Sequence, residues 1–349
     1  VLAGPVEILE RLSNEGRLET SGPWPVGATA FMETGEGLPA QTLAACEESD
    51  AIVFGAVGDH PGFDPAEYRP ELALLQLREH FDLRISIRQN WRGEEVPTTI
   101  VRTLLGGAYG PASSREESDG SQPAVDHVRL TPEQIQEAVE IACDYAAETG
   151  SLISVDKANV LATSRLWRRV ATRVIEERGL TYRHVLVDQC AFEMGRDRLK
   201  ESVIVAEGLF GDILSDLAAA RVGSIALCGS MSVRPAKHVS GGRSSASPTD
   251  RRCVGLFEPV HGTAPRLFGR GIANPTGAYL ALCSALEWFP ETHDLAAPVR
   301  QALAHVLREG PTTVDIAPEG ALSATTAEFA RRVNDTAFDL IEAHDASRT

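Results

Sequence analysis

The chain has 349 residues, of which 43% are hydrophobic, and a formal net charge of -16 at pH 7. This length suffices for two domains around a large core, and the acidic charge argues against nucleic acid or an anionic membrane surface as a partner. No apolar run approaches the roughly 18 residues that span a bilayer and no charged-then-apolar leader opens the sequence, so we expect a cytoplasmic protein.

Apolar runs of strand length alternate with helical patterns along the chain, which favours an α/β architecture with parallel strand pairing. The predicted strands are 51–57, 98–102, 152–156, 184–188 and 202–206, and the predicted helices are 66–81, 132–148, 164–178, 275–289 and 325–343. Thr131 and Gln134 form a capping-box pattern around Pro132, which predicts the start of the second helix. Segments 113–122 and 236–252 have the composition of surface loops.

Several common site types are absent from the sequence. It has neither a G-x-G-x-x-G fingerprint nor a Walker loop, which disfavours a standard Rossmann dinucleotide site. The six cysteines lie far apart without a CxxC pair, which predicts reduced and mostly buried thiols rather than a zinc site or disulfides. Lysine occurs only three times, at Lys157, Lys200 and Lys237, so Lys157 is not explained as one of many solubilising residues.

Asp212 and Asp216 are four residues apart, immediately before the apolar run 217–220. On a helix, both carboxylates would lie on one face. Hard divalent cations such as Mg²⁺ or Mn²⁺ prefer oxygen ligands, so this spacing indicates a metal site. Taken alone, the same spacing is also compatible with a solvated helix face.

Further motifs occur in a fixed order from about Gly27 onward. They are FGAVGD at 54–59, RPELALLQLR at 69–78, the segment 101–109, DKANV at 156–160, SRLWR at 164–168, GDILSD at 211–216, HGTAP at 261–265 and GIANP at 271–275. The chain therefore resembles the β-decarboxylating hydroxyacid dehydrogenases, the family of isocitrate and isopropylmalate dehydrogenases.

The resemblance implies a two-domain α/β fold with a mixed, largely parallel sheet flanked by helices, distinct from the standard Rossmann fold. Residues 1–83 and 223–349 would form the cofactor-binding domain, and residues 84–222 the central domain for substrate, metal and dimerisation. It also implies a homodimer with shared active sites, in which Lys157 and Asp188 reach into the cleft of the partner.

The implied reaction is the oxidative decarboxylation of a substituted malate, a small dicarboxylate. Arginine binds carboxylates through paired donors that lysine lacks, and Arg78, Arg88 and Arg102 match the three clamp positions. Lys157 would be the base or proton relay for the substrate hydroxyl, and Tyr109 would protonate the carbon after loss of CO₂. The implied metal ligands are Asp188, Asp212 and Asp216, of which Asp188 also counts among the catalytic residues.

The adenine-ribose loop is matched by residues 261–274. Its candidate cofactor-binding residues are His261, Gly262, Thr263, Ala264, Pro265, Arg266, Gly269 and Asn274. NAD-using isopropylmalate dehydrogenases have an aspartate where this chain has Arg266. An aspartate accepts hydrogen bonds from the ribose 2′-OH, whereas an arginine favours a 2′-phosphate, so NADP becomes a candidate beside NAD.

Glu71, Leu74 and Leu75 match the isopropylmalate pattern, in which leucines receive a branched alkyl group. This favours 3-isopropylmalate or a close analogue as substrate. Departures at Gly208, Gln89, Ser86 and Thr103 border the expected nicotinamide and substrate positions and indicate a divergent paralogue. The alternatives are an enzyme of specialised metabolism acting on an unusual malate (phosphonate-bearing, tartrate, isocitrate or homoisocitrate type) and a non-catalytic regulatory subunit.

Overall fold

The computed structural model describes residues 1–60, 63, 68–92, 95–109, 114–116, 121, 123–199, 202–235 and 253–346. The helices in these ranges are α1 (Ala3–Asn14), α2 (Ala28–Thr34), α3 (Ala40–Glu47), α4 (Glu71–His80), α5 (Pro132–Thr149), α6 (Ala162–Glu177), α7 (Val187–Gly195), α8 (Gly208–Val222), α9 (Thr276–Trp288), α10 (His293–Glu309) and α11 (Thr326–Ala346). The strands are β1 (Ala51–Val53), β2 (Ile85–Arg92), β3 (Glu95–Thr103), β4 (Ser114–Glu116), β5 (Val125–His127), β6 (Ser151–Asp156), β7 (Thr181–Leu186), β8 (Ser202–Ala206), β9 (Cys228–Val233) and β10 (Gly255–Pro259).

Eight of the described strands form one sheet in the order β1-β10-β9-β2-β3-β8-β6-β7. The pairs β1·β10, β3·β8, β8·β6 and β6·β7 are parallel, whereas β10·β9, β9·β2 and β2·β3 are antiparallel. The sheet is therefore mixed, with parallel flanks on an antiparallel centre. The predicted α/β class and the mixed, largely parallel sheet are confirmed, and the antiparallel pairs are the three at its centre.

Most predicted elements are present with adjusted ends. Strand β8 has the predicted bounds, and α5 begins at Pro132 with both hydrogen bonds of the capping box between Thr131 and Gln134. The strand predicted from 51 ends at Val53, and the strand predicted to reach 188 ends at Leu186. Helix α4 begins at Glu71 rather than at 66, and residues 66 and 67 lie outside the described residues.

Other elements were not predicted. They include the strands β2, β9 and β10 and the helices α1, α2, α3, α7 and α10. The loop predicted at 113–122 contains strand β4, which pairs with β5 in a small separate hairpin. The loop predicted at 236–252 lies outside the described residues.

The two faces of the sheet bury different apolar clusters. Val101 of β3 packs in a cluster with α5 and α6, whereas the adjacent Ile100 packs in a cluster with α7 and α8. A third cluster joins α1, α9, α10 and α11. Each fully buried aliphatic or aromatic side chain in such a cluster contributes roughly 1.5–3 kcal/mol. The packing on the Ile100 side fixes α8, and with it Asp212 and Asp216, against strand β3.

Two predictions from composition can be compared with this fold. All six cysteines are buried and unbridged, as predicted. Among the described helices, none is both long and apolar enough to cross a bilayer. The division into domains 1–83 with 223–349 and 84–222 stays a prediction, since the sheet runs continuously through strands of both segments.

Candidate active site

Arg88 and Arg102 lie on neighbouring central strands and meet one carboxylate. Arg88 is opposite Ile100 in the β2·β3 register, and Arg102 follows Ile100 by two residues, so both arginines project from the same sheet face. Arg88 Nη1 lies 3.2 Å and Arg102 Nη2 lies 3.0 Å from Oδ1 of Asp212 on α8. The approach of α8 is close: a Cβ on Gly211 would lie 2.5 Å from the Arg102 Cβ. Glycine at 211 therefore lets Asp212 reach both strands.

The second acid of the helix shares one of these arginines. Arg88 Nη1 lies 3.3 Å from Asp216 Oδ1 and donates to the Ser215 hydroxyl at 2.6 Å. The Asp212 side chain is 36% exposed and that of Asp216 is 61% exposed. The prediction that both carboxylates lie on one helix face is confirmed, and oxygens of both lie near the same guanidinium nitrogen.

Tyr109 completes this group. Its phenol donates to Asp212 Oδ2 at 3.2 Å, and its ring centroid lies 5.8 Å from the guanidinium carbon of Arg102. Burial, followed by the neighbouring Asp212 charge, raises the pKa of the phenol above its ordinary value. Tyr109 is thus held in its protonated form, as a proton donor requires.

Gly208, one of the departures from the family pattern, is explained by this packing. A Cβ at position 208 would lie 2.8 Å from the Thr103 carbonyl oxygen and 3.1 Å from the Tyr109 ring. The Gly208 carbonyl accepts a hydrogen bond from Arg102 Nη1 at 3.1 Å. Glycine thus allows the start of α8 to contact the strand end that carries Arg102.

Arg102 is the most buried of the three predicted clamps. Desolvation, together with the positive charges of Arg88 and Arg78, lowers the pKa of Arg102 to about 10, while Asp212 opposes the shift. The guanidinium therefore remains charged at neutral pH. Arg88 and Arg102 both reach Oδ1 of Asp212, so these two guanidinium groups lie close together.

Arg78 has a buried acidic partner that the sequence did not reveal. Arg78 Nη2 lies 2.7 Å from Oε1 of Glu258 on β10, and the two side chains are 12% and 9% exposed. The sequence signal that could have revealed this pair is Glu258 itself, the single charged residue in the buried run of β10, because a buried charge requires a partner. The ion pair fixes the end of α4 against the sheet.

The same face of α4 carries the predicted substrate-binding residues. Glu71, Leu74 and Leu75 precede Arg78 by seven, four and three positions, which places all four on one helical stripe. Leu74 is partly buried against a small cluster around Leu77, whereas Leu75 is 44% exposed. Leu75 therefore presents apolar surface beside Arg78.

Lys157 and Asp188 form a second group. Lys157 follows β6 and Asp188 lies in the first turn of α7 after β7; the two strands are parallel, with Asp156 opposite Leu186. Their side chains form an ion pair. The hydrogen bond from Lys157, and then the helix-end backbone N–H, lower the pKa of the Asp188 carboxyl. Within the described part of the chain, no hydrogen bond or ion pair joins this pair to Asp212 or Asp216.

The predicted metal ligands are therefore not assembled within one chain. Asp212 and Asp216 converge, but Asp188 is with Lys157. Across the ranges that the structure describes, no three His, Cys, Asp or Glu side chains are grouped so that they could hold a metal ion. One chain presents two carboxylates of a possible oxygen site rather than three.

The predicted cofactor loop packs on the turn that follows β1. Thr263 Oγ1 donates to the Asp59 carbonyl at 2.8 Å, and a Cβ on Gly58 would lie 3.0 Å from that hydroxyl and 3.6 Å from Glu71 Oε1. The loop thus lies next to the first residue of α4. Ala264 has a left-handed φ of 46°, which turns the chain into a short 3₁₀ segment, Pro265–Leu267.

The other predicted cofactor-binding residues of this loop differ in their exposure and in their hydrogen-bond partners. Burial lowers the pKa of His261, whose Nδ1 bonds to the Gly262 carbonyl at 3.0 Å, while its buried Nε2 has no partner in the described structure. Arg266 and Gly269 are exposed. Asn274 is instead buried: its Oδ1 accepts from Thr276 N at 3.0 Å and its amide donates to an aspartate. Asn274 serves the start of α9, and His261 offers a free ring nitrogen.

The chain is similar in sequence to known proteins over most of its length. A family profile described as isocitrate/isopropylmalate dehydrogenase matches residues 5–333. The chain is 38% identical to a 3-isopropylmalate dehydrogenase of Shouchella clausii, with 86% of this chain and 84% of the relative covered, and 35% identical to one of Bacillus subtilis, with 92% and 88% covered.

Solved structures give the same picture. A β-decarboxylating dehydrogenase from Thermococcus kodakarensis superposes with a TM-score of 0.75 at 28% identity, covering 98% of this chain and 93% of that one. An isocitrate dehydrogenase from Methylococcus capsulatus superposes with a TM-score of 0.79 at 25% identity, covering 96% and 95%.

Proposed function

Because the chain belongs to the isocitrate/isopropylmalate dehydrogenase family and is thus a β-decarboxylating dehydrogenase, we propose that it oxidises and decarboxylates a 3-substituted malate, 3-isopropylmalate or a close analogue. The observation that carries the proposal is the convergence of Arg88, Arg102 and Tyr109 on Asp212. Carboxylate clamps, a protonated phenol and an acidic metal ligand are the groups that this reaction needs at one place.

The charge balance of the site supports a dicarboxylate with an apolar substituent. Arg78 is paired with Glu258, and Arg88 and Arg102 share the Asp212 and Asp216 carboxylates. Since these three arginines are matched by three carboxylates, a dianionic malate bound with a divalent cation keeps the site neutral, whereas the third carboxylate of isocitrate would add one uncompensated negative charge. The apolar surface of Leu75 next to Arg78 suits an alkyl group at C3.

The family implies a divalent metal and a nicotinamide cofactor, and the residues present fit both. Oxygens of Asp212 and Asp216 lie 3.2 and 3.3 Å from the same Arg88 nitrogen, so two hard donors lie close together on one face of α8. The unpartnered buried Nε2 of His261 and the exposed backbone of the 262–264 loop suit a nucleotide. Asp212 and Asp216 would hold Mg²⁺ or Mn²⁺ with Asp188 of a second copy, and residues 261–266 with Gly269 would bind NAD or NADP.

The chain's own groups account for the remaining chemistry. Arg78, Arg88 and Arg102 orient the two carboxylates of the malate. Lys157, once its ammonium has given up a proton to solvent, accepts the proton of the C2 hydroxyl as the carbonyl forms, and Tyr109 protonates the carbon from which CO₂ has left. When bound, the divalent ion would lower the proton affinity of the hydroxyl and stabilise the enolate, and the nicotinamide would take the hydride.

We further propose a homodimer with shared sites, since the base and the clamps belong to separate groups within one chain. Apolar side chains near both groups are exposed: Val160 by 62%, Phe192 by 61% and Ile213 by 59%. A second copy covering them would bring Lys157 to the clamps. Mixing Lys157→Met and Tyr109→Phe proteins through unfolding and refolding should then regenerate some activity. Two inactive variants that never complement each other would contradict shared sites.

Steady-state turnover tests the substrate. Reduction of NAD and of NADP should be followed with 3-isopropylmalate, 3-methylmalate, malate, isocitrate, homoisocitrate, tartrate and a phosphonate-bearing malate, each with Mg²⁺ or Mn²⁺. We expect the highest kcat/KM with a 3-alkylmalate. A preference for isocitrate or another substrate with a charged C3 substituent would overturn the apolar assignment.

A further inference from the structure

The turn that carries Lys157 is anchored by the residue before it. Asp156 is the last residue of β6, and its side chain is fully buried. Asp156 Oδ1 accepts a hydrogen bond from the backbone N–H of Ala158 at 2.9 Å, so the carboxylate spans the backbone of Lys157. This local bond fixes the direction in which the chain leaves the strand.

The same carboxylate is bound by a forked pair from helix α6. Arg168 Nε donates to Asp156 Oδ2 at 2.7 Å and Arg168 Nη2 donates to Oδ1 at 2.8 Å. A bidentate arginine-carboxylate pair defines both distance and orientation. A buried carboxylate also requires such compensation, because removal of one partner leaves an unpaired charge in the interior.

The rest of the turn is tied down as well. The backbone N–H groups of Val160 and Leu161 donate to the Lys157 carbonyl at 3.0 and 2.9 Å. Arg165, also on α6, donates to the carbonyls of Ala158 and Val160 at 3.3 and 3.2 Å. The backbone around Lys157 is thus held by one buried carboxylate and two arginines of the same helix.

Such anchoring matters for a group that transfers a proton. Lys157 has a long, flexible side chain, and the direction in which it leaves the backbone is set by the turn that Asp156 and Arg168 hold. A catalytic group displaced by about 1 Å can lose on the order of 10²-fold in rate. We propose that Asp156 and Arg168 are positioning residues, which fix the turn after β6 so that the Lys157 amine is presented to Asp188 and to the substrate. The kinetic part of this proposal rests on the proposed function, because it takes Lys157 as the base.

The test compares Arg168→Gln and Arg168→Lys with matched changes at Arg173. Arg173 lies on the same helix, is exposed, and donates to the Gln136 side chain at 3.1 Å, away from the turn. Arg168→Lys keeps the compensating charge for Asp156 but loses the fork, so it serves as the variant whose fold is safest. The double variant Asp156→Asn/Arg168→Gln removes both charges together.

Two readouts are needed. The first is kcat and KM for the preferred malate. The second is the rate at which an acetylating ester modifies Lys157 in the folded protein, measured by mass spectrometry of its peptides after digestion. Lys200 and Lys237, the other lysines of the wild-type chain, are internal references. If the turn is altered, the Lys157 amine should leave its ion pair with Asp188 and be acetylated faster. A loss of stability elsewhere in the protein would not raise the acetylation rate of Lys157 selectively.

We expect Arg168→Gln and the double variant to lower kcat about 10- to 100-fold with little change in KM. Arg168→Lys should have a smaller effect, and Lys157 should be acetylated several-fold faster in all three relative to the other lysines. The Arg173 variants should match the wild type in both readouts. Unchanged kcat and unchanged Lys157 acetylation in folded Arg168 variants would overturn the positioning role.

The acetylation readout separates this proposal from the proposed function. If the wild type turns over no substituted malate but Arg168 variants still acetylate faster at Lys157, the function is wrong and the anchoring of the turn stands. If the wild type is active and neither readout responds to Arg168→Lys or Arg168→Gln, the anchoring is wrong and the function stands.

Discussion

Replacing Tyr109 by phenylalanine removes one oxygen and isolates the proposed proton donor. The phenol donates to Asp212 Oδ2 at 3.2 Å, and the residue is 40% exposed. Because burial and the Asp212 charge raise the pKa of Tyr109, the phenol stays protonated at neutral and mildly alkaline pH. Its loss should therefore remove a donor that is present throughout the usual assay range.

The structure predicts different magnitudes for stability and activity. A hydrogen bond to a charged group contributes about 1.5–3 kcal/mol when fully buried, but this one is partly exposed and Asp212 keeps Arg88 and Arg102, so we expect a loss below about 1 kcal/mol in unfolding free energy. General acid catalysis contributes about 10²- to 10⁴-fold in rate, or roughly 3–5 kcal/mol of activation free energy. Activity should therefore fall far more than stability.

The assay measures cofactor reduction and CO₂ release separately in single-turnover and steady-state experiments. Tyr109→Phe should chiefly slow the steps after oxidation, namely CO₂ loss or carbon protonation, whereas Lys157→Ala should slow the hydride transfer itself. Tyr182→Phe is the matched control, since its phenol donates to the Glu176 carboxylate at 3.0 Å outside the site. A Tyr109→Phe enzyme with near-wild-type kcat on its best substrate would refute the role of this residue.

Three further predictions concern the cofactor, the metal and the packing of α8. Arg266→Asp should shift the kcat/KM ratio from NADP toward NAD by about tenfold to a hundredfold, as expected for a charge-assisted bond of about 1.5–3 kcal/mol. The control is Arg169→Asp, at an exposed arginine on α6. A strong NAD preference that Arg266→Asp leaves unchanged would exclude Arg266 as a residue that recognises the ribose. Chelation should abolish decarboxylation and Mg²⁺ or Mn²⁺ should restore it, so full activity in thoroughly chelated protein would contradict the metal assignment. Gly211→Ala should lower the free energy of unfolding by about 1–3 kcal/mol, because its Cβ would lie 2.5 Å from the Arg102 Cβ. Gly195→Ala is the control and should be tolerated, because a Cβ there would have nothing within 4 Å. Equal stability of the two variants in thermal or denaturant unfolding would argue against the close packing of α8.

The sequence predicted those strands whose residues are apolar on both faces. Strand β8 was predicted with its correct bounds because all but its first residue are buried. Strand β2 was missed because its apolar residues Ile85 and Ile87 alternate with polar ones that face α8. Arg88 is one of these polar residues. The strand that carries this predicted clamp is therefore not revealed by a run of apolar residues.

Strand ends were harder to predict than strand centres. The run 51–57 is apolar throughout, yet β1 ends at Val53, because the following segment turns toward Gly58, whose φ is 148°. The polar residues that begin β7 hid its true start, and Asp188, predicted at a strand end, lies in the first turn of α7 instead. Tertiary contacts decide such ends, and apolar patterning does not register them.

The spacing of residues predicted one part of the site, and the family resemblance predicted another. The spacing of Asp212 and Asp216 was sufficient to predict a shared helix face, because helical geometry alone determines it. Residues that act over long sequence separations were not available from spacing. Glu258 is 180 residues from Arg78, and nothing local in either segment pairs them.

The site residues of one chain form two groups, one around Asp212 and one formed by Lys157 and Asp188, and each group contains its own opposite charges. Asp212 forms ion pairs with Arg88 and Arg102 and accepts a hydrogen bond from the Tyr109 phenol, whereas Lys157 forms an ion pair with Asp188 and follows the buried Asp156. Each group is electrostatically compensated within one chain, and under the proposed function a dianionic malate bound with a divalent cation would leave that balance unchanged. That compensation is a property of the residues on β2, β3, β6, α7 and α8 rather than of any single motif.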